Sequence, residues 1–466
     1  MKYRNKNNKL KYLFILLLAI TIGYAALSTT LKINGSTTIG KNTWKIYWHN
    51  VANEAGVTAE DSPDIGDDDT NGEDTVVTWG VTLTTPGDYY EFTVDAVNEG
   101  GIDAMVTDIS TMVTDSTDTV VDLPSYVKFT VTYDNGRPII KKHILPKANG
   151  NTPTRVTYKV RVEYLKSITN EQLAAIGEDG VEYNFSFEVQ YGQADDTAVP
   201  LPTSFQEDSW AVIAANVNAD KSIYDIGDTK TFEMNLVGDD DENETYTLKV
   251  VNNTTPDQCT NIVYGLSQSA CGFVVELQGI NSSRSINATN NDATTNGDGN
   301  KGGWKYSQLR AYLNGEVYRE DLEGETDYAG SGLIDKLPSG LKHIIIPTKV
   351  ISGHGSNDNS NFESEDYIYI ASTREIWLEG STSNVPISTK DSAYYQTRQL
   401  DYYHNLSVTT SNYEAVSRTG VSGPWALRSA VSDVTNAFIL VYPQGYPNYT
   451  LPTSSSKYFP LFRFAE

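Results

Sequence analysis

Residues 129 to 140 read FTVTYDNGRPII: an alternating run, a turn signal and a second short apolar run. Phe129, Val131 and Tyr133 fall on one side of a strand, and Thr130 and Thr132 on the other. That is the period of two required of a half-buried strand. Asp134, Asn135 and Gly136 tolerate the positive φ of a tight hairpin turn. The stretch predicts an antiparallel hairpin, and the chain around it follows the same pattern.

Six further runs are β-branched, aromatic or alternating: LKINGSTTI (31–39), WKIYWHNV (44–51), TVVTWGVTL (75–83), YYEFTVDAV (89–97), TRVTYKVRVEYL (154–165) and YNFSFEVQY (183–191). Turn residues such as Pro86-Gly87-Asp88 and Asn149-Gly150 separate them. About seven short strands so spaced predict an all-β sandwich, Ig-like or jelly-roll-like, over residues 29–195. One helix is expected within it at TNEQLAAIG, where Thr169 caps, Gln172 completes a capping box and Gly177 stops the turn. The acidic, Pro-containing stretch around 196–204 reads as a linker.

From 205 to 466 the texture is α+β. Trp210, Ile213, Ala214 and Val217 lie at i, i+3, i+4 and i+7, a helix face with Asp208 or Ser209 as cap. Strands are expected at TKTFEMNL, ETYTLKVV and GFVVELQGI, then an Asn/Thr/Gly-rich loop from Asn281 to Gly303. A helix follows at WKYSQLRAYLN (304–314), with strands at KHIIIPTKVI (342–351) and DYIYIAS (366–372). A Tyr-rich stretch (391–404) precedes the terminal runs PWALRSA, AFILVYPQG and YFPLFRFA.

The chain of 466 residues holds 35 basic and 60 acidic residues, net charge −25. Five of the basic ones (Lys2, Arg4, Lys6, Lys9, Lys11) crowd the first eleven positions, leaving the body at −30. Such a body repels phosphate backbones, so nucleic acid is not an expected partner. The basic segment is followed by an uncharged apolar run from Tyr12 to Leu27, with small residues at Ala26 and Ser28. Residues 1–28 therefore read as a cleavable signal peptide or a retained membrane anchor; either way everything downstream is exported. Cys259 and Cys271 have no metal-ligating or redox spacing; they are two free thiols or, in an oxidising compartment, one disulfide.

Pro86-Gly87-Asp88, Phe92, Val94, Asn98, Gly101, Asp103 and Ala104 resemble the pattern of camelysin-like exported proteins of Gram-positive bacteria, as does the opening GYAALSTTLKINGSTTI. The resemblance covers about residues 10 to 195. It implies a sandwich, a Gram-positive-type cell surface and an edge strand that relatives donate between subunits in biofilm-matrix fibres. Members have been labelled metallopeptidases, but no HExxH or comparable helix pair occurs here, and no protease site is carried over. Residues 205–466 are similar to a domain of unknown function in exported gut bacterial proteins. Trp304, Ser307, Leu309-Arg310, Leu313-Asn314, Leu337-Pro338, DYIYIAST, Trp425, Leu427-Arg428-Ser429, Phe438 and FPLFRFA carry that similarity; Ala426 interrupts the usual Trp-Leu-Arg-Ser run. The order of a Trp-headed helix and late Trp/Arg strands is also similar to C-type-lectin-like folds.

Few residues invite a chemical role. Asp67, Asp69 and Asn71 make the first half of a calcium loop, but Thr78 stands where the bidentate Glu belongs; a solvated hairpin tip is the simpler expectation. Trp377, Tyr394 and Tyr395 are candidates to stack on sugar rings, against the ordinary use of such aromatics in a core. No G-x-S-x-G elbow occurs, and no P-loop or G-x-G-x-x-G follows a strand. Trp304, Arg310, Trp425 and Arg428 form the conspicuous signature. In an extended WALRSA, Trp425 and Arg428 face opposite ways, and in the expected helix Arg310 shares the apolar stripe with Tyr306, Leu309 and Leu313. A partly buried Arg needs a carboxylate or carbonyl partner, so these residues read as structural brackets rather than a ligand site. The expectation is a non-enzymatic surface protein, an adhesin or glycan-binding module on a β-sandwich, without a cofactor other than the calcium just weighed. Glycans, host surface proteins or other copies of itself are its expected partners, and the membrane too if the leader is kept. The alternatives are a fibre subunit polymerising through the sandwich and a carbohydrate-active enzyme.

Overall fold

A computed structural model describes residues 43–67, 74–177, 180–236, 243–256, 259, 267–280, 282–287, 299–318, 326–377, 398–409, 411–418 and 420–464. Its N-terminal region is all-β. Strands β1 (Ile46–Gly56), β4 (Tyr89–Asn98), β8 (Thr154–Tyr164) and β6 (Val127–Tyr133) form an antiparallel sheet in that order. Strands β7 (Ile144–Leu145), β5 (Ala104–Asp115) and β9 (Tyr183–Gln193) form a second, and β2 (Asp61–Asp67) pairs with β3 (Asp74–Gly80). Rings close the space between the sheets. Phe129 of β6 stacks on Phe185 of β9 at 4.7 Å, and the Tyr158 and Tyr191 hydroxyls meet at 2.5 Å. Tyr90, Phe92, Val94 and Ala96, alternate residues of β4, are buried in the same cluster.

The turn at 134–136 forms as its residues dictate: Gly136 takes φ +82° and donates its N–H to Tyr133 O at 2.8 Å. The returning segment does not become a strand. It makes one isolated bridge, Thr132 to Pro138, because Pro138 has no N–H to continue a ladder and Arg137 is drawn elsewhere. The Arg137 guanidinium reaches Asp228 at 2.6 Å and Asp225 and Ile223 O at 3.3 Å, all beyond the sandwich. Helix α1 (Asn170–Ile176) carries the expected Thr169–Gln172 capping box. Strand β5 was not expected. The six apolar residues of AMVTDISTMVTD do not alternate with its polar ones, and only Ala104, Val106 and Val113 are buried. Full-length pairing to β9, rather than apolar burial, makes it a strand.

The C-terminal region is α+β. Helix α2 (Trp210–Ala219) starts at Ser209, whose side chain accepts from Val212 N, and buries Ile213 and Val217. Strands β10 (Thr229–Met234), β11 (Glu244–Asn252) and β12 (Val274–Gln278) lead a mixed-length sheet that continues through β22 (Pro460–Phe464) to β15 (Ile345–Ile346). The last strand in sequence is thus interior in the sheet, which explains why PLFRF is buried at every position. Around it lie the hairpin β13 (Val317–Tyr318) with β14 (Thr326–Asp327), the hairpin β16 (Thr348–Ser352) with β17 (Phe362–Asp366), and β18 (Tyr369–Ile370), which also pairs with β22. Strands β19 (Trp425–Ala430), β20 (Phe438–Val441) and β21 (Pro447–Thr450) form a further sheet. Helix α3 (Gln308–Asn314) is shorter than WKYSQLRAYLN suggests: Ser307 caps it, so Tyr306 lies outside the helix and is half exposed. KHIIIPTKVI is likewise part helix. Helices α4 (Leu333–Lys336) and α5 (Ser339–Ile344) precede β15.

The stretch read as a linker is stitched in place. Val199 is buried, exchanges backbone hydrogen bonds with Lys142 and Ile144, and Pro200 O accepts from Asn216 Nδ2 at 2.9 Å. Trp44–Glu466 accordingly forms one compact unit. His143 is the buried polar joint of this packing. Its Nδ1 meets the Tyr133 hydroxyl at 2.8 Å and its Nε2 meets Asn216 Oδ1 at 2.9 Å. Burial lowers its pKa from the ordinary histidine value to about 4, against smaller opposing effects of Asn216 and Asp220. A histidine with a depressed folded pKa gives its full stability above its unfolded pKa and loses it as pH falls toward the folded one. The stability of the wild type should therefore fall relative to His143→Gln by up to roughly 3 kcal/mol between pH 6.5 and 4. Urea denaturation at stepped pH checks this; parallel curves for the two proteins would contradict it.

Candidate functional site

The conspicuous arginines are all occupied. Arg428, on β19, is fully buried and faces Glu375, also fully buried, on helix α6 (Thr373–Ile376). Its two terminal nitrogens each reach one carboxylate oxygen at 2.5 Å, and one also donates to Ile370 O at 2.7 Å. Glu375 Oε2 accepts from Ser372 N at 2.9 Å, so the carboxylate that holds Arg428 also caps its own helix. Ser269 donates to Glu375 Oε1 and accepts from Arg428 at 3.1 Å. Trp425 lies in a different environment. Its ring packs edge-on to Phe459, and the Arg418 guanidinium lies 5.1 Å from its centre. The strand phase therefore separates Trp425 from Arg428, and the whole of β19 is buried.

Trp304 and Arg310 are brought together by Asp366, the first residue of DYIYIAST, a role that stretch did not announce. Asp366, fully buried at the end of β17, accepts from Trp304 Nε1 at 2.8 Å, Arg310 Nε at 2.6 Å and Ser364 Oγ at 3.1 Å. Glu316 takes the outer edge of Arg310 at 2.7 and 3.2 Å. Burial disfavours the charged guanidinium, but Asp366 and Glu316 outweigh it and raise its pKa. Arg418 repeats the arrangement with Glu276 at 2.8 and 2.9 Å and the Tyr403 hydroxyl at 2.8 Å. Arg398 closes on Ala270 O, Asn252, Thr254 and Asp401, the first residue of helix α7 (Asp401–Asn405). The partners lie up to 159 residues from the arginine, which is why no local pattern identifies them.

Cys259 and Cys271 form a disulfide with Cα atoms 5.9 Å apart. Trp377 is wholly buried in the core, which removes it as a surface for sugar stacking. Tyr394 and Tyr395, and the calcium candidates Asp69 and Asn71, lie outside the described residues; Asp67 ends β2, but its side chain also lies outside them. Among the described residues no helix is long and apolar enough to cross a membrane, and residues 1–28 are outside that set.

An open cleft lies between the start of α3 and the segment leading to α4, about 290 Å³ including the part open to solvent. Arg284, Ser285, Gln308, Leu309, Tyr312 and Tyr328 line it. The Arg284 guanidinium lies 3.4 Å from the Tyr312 ring centre, and Gln308 Nε2 donates to the Tyr328 hydroxyl at 2.9 Å. Tyr312 is buried and supplies the floor. The walls are held by close backbone approach: a Cβ on Gly332 would stand 2.6 Å from both Tyr312 O and Gly315 Cα. No motif pointed to this group. Arg284 sits in a polar run, NSSRSIN, without a spacing that marks it.

Residues 281–456 match the family model described as Domain of unknown function (DUF6273). The match is narrower than the similarity drawn from residues 205 to 466. It takes in Trp304, Arg310, Asp366, Glu375, Trp425, Arg428 and the whole cleft, but not Ser269, Glu276 or β22. No family match supports the camelysin-like resemblance of the N-terminal region. No curated protein matches the chain.

The fastening geometry predicts graded losses. Arg310→Met strands the Asp366 charge in the core and should lower unfolding free energy by roughly 3–5 kcal/mol. Trp304→Phe removes one donor from the same carboxylate and should cost about 1–3 kcal/mol. Chemical denaturation of the two variants checks the order; Arg310→Met at wild-type stability would contradict it.

Proposed function

We propose that this chain is an exported, surface-displayed binding protein in which the β-sandwich carries a C-terminal recognition module, and that it is not an enzyme. The observation behind this reading is the division of labour among polar groups. Buried carboxylates Asp366, Glu375 and Glu276 are each engaged by an arginine, so they support packing rather than proton transfer. The open cleft is lined by a guanidinium, an amide, hydroxyls and rings, with no carboxylate, His, Cys or Lys among its lining residues. Such a surface binds by hydrogen bonding and stacking, and offers no general base. The basic-then-apolar leader and the Cys259–Cys271 disulfide support export to an oxidising compartment. The ligands that suit this reading are glycans or host surface proteins.

A screen of the exported chain on glycan and host-protein arrays tests the binding half of the proposal. Saturable capture without release of a shortened product is expected; turnover of a captured glycan, or no capture at all, would overturn it. Compartment is tested separately. Alkylation and mass spectrometry of protein taken directly from cells should find Cys259 and Cys271 joined, and reduction should lower stability by about 3 kcal/mol for a loop of this length. Free thiols on protein retained inside the cell would contradict export.

A further inference from the structure

Arg284 differs from four other arginines of the C-terminal region. Arg310, Arg398, Arg418 and Arg428 each donate to a carboxylate. Arg284 is half-buried in the cleft, and among the described residues no carboxylate lines it. This is unexpected on charge alone, because acidic residues outnumber basic ones 60 to 35 in this chain. A guanidinium drawn partly out of water calls for an anionic partner. The side chain is also preorganised. Its guanidinium carbon lies 3.4 Å from the centre of the Tyr312 ring, which holds in place the N–H fork that matches a carboxylate. Its charge is felt at the neighbouring Tyr458, where it opposes the upward shift that burial imposes on that phenol. The remainder of the lining is hydroxyl and amide: Ser285, Gln308 and Tyr328.

We infer that the cleft formed by Arg284 on Tyr312, with Ser285, Gln308 and Tyr328 around it, is a binding site for an acidic sugar. The inference rests on the ligand-binding reading above and deepens it by naming the ligand class. Arg284 takes the carboxylate through two parallel N–H···O bonds. Tyr328, Gln308 and Ser285 meet ring hydroxyls, and the partly exposed Tyr328 ring takes the apolar face of the sugar. The cleft is open to solvent and too small for a polymer segment, so the expected unit is a terminal or branch residue of a larger glycan, with its ring partly outside. Hydroxyl-rich walls favour a saccharide over the C-terminal carboxylate of a peptide, whose side chains would need apolar pockets.

Titration of the full exported chain with D-glucuronate, D-glucose and acetate, followed by ligand-observed NMR, tests the site. Saturable glucuronate binding is expected, with glucose and acetate each roughly 10–100-fold weaker, because one charge-assisted fork or the set of hydroxyl contacts is then missing. Arg284→Met should abolish glucuronate binding. Arg284→Lys keeps the charge and loses the fork; it should melt like the wild type and weaken binding by roughly tenfold or more. Acetate binding as tight as glucuronate, no saturation by glucuronate, or wild-type binding by Arg284→Lys would each overturn the inference. The two proposals fail separately. Glycan-array capture that persists in Arg284→Met leaves the binding protein standing and removes this site.

Discussion

Glu375 and Arg428 are 53 residues apart in the chain, and neither reaches solvent. Placing two full charges in a core is unfavourable unless every lone pair and N–H is met. Here Ile370 O, Ser372 N and Ser269 Oγ add hydrogen bonds to the two terminal nitrogens and to both carboxylate oxygens. Three separated segments are thereby bound to one point: the stretch before β12, the turn from β18 into α6, and β19. The pair also fixes phase. A one-residue slip of β19 would carry Arg428 to the opposite side of the strand and leave Glu375 buried without its cation. Asp366 and Glu276 repeat the device nearby, so the irregular C-terminal region, poor in long elements, is ordered by a set of directional contacts laid over its apolar core.

What could be read in advance follows from how local the cause is. Alternation of side chains marked β1, β4, β6 and β8, and capping chemistry marked α1 and the start of α2, because each depends on residues a few positions apart. The Trp/Arg signature was legible as fastening, since the strand phase of WALRSA alone separates Trp425 from Arg428. The carboxylates they need were not legible. Nothing in DYIYIAST gives Asp366 its partners, and the S-x-x-E of STREI marks Glu375 as a helix cap but not as the partner of Arg428. Strand β5 was hidden for a different reason: its pairing is by backbone, and its apolar residues at 104–106, 109, 112 and 113 do not alternate as those of a half-buried strand would. The turn at Asn135-Gly136 shows a third case. Local chemistry specified the reversal, and the long-range demands of Arg137 then ended the hairpin early.

The same distinction bears on function. Residues that catch the eye in this sequence, Trp304, Arg310, Trp377, Trp425 and Arg428, are buried or nearly so and serve the fold. Recognition is proposed to reside in a modest group, Arg284 with Tyr312, Gln308 and Tyr328, in a cleft that no carboxylate lines among the described residues. Fastening and binding are then separable: the first lies in the core and the second at an open cleft within the DUF6273 match.

The most direct test of the central claim is a double-mutant cycle on Arg428 and Glu375, using Arg428→Met, Glu375→Gln and the pair, with unfolding free energies from urea titration. Each single change should destabilise by roughly 3–5 kcal/mol, and the double should recover enough to give a coupling energy above about 2 kcal/mol. A coupling energy near zero, with additive single losses, would contradict the claim that this buried ion pair holds the C-terminal region together.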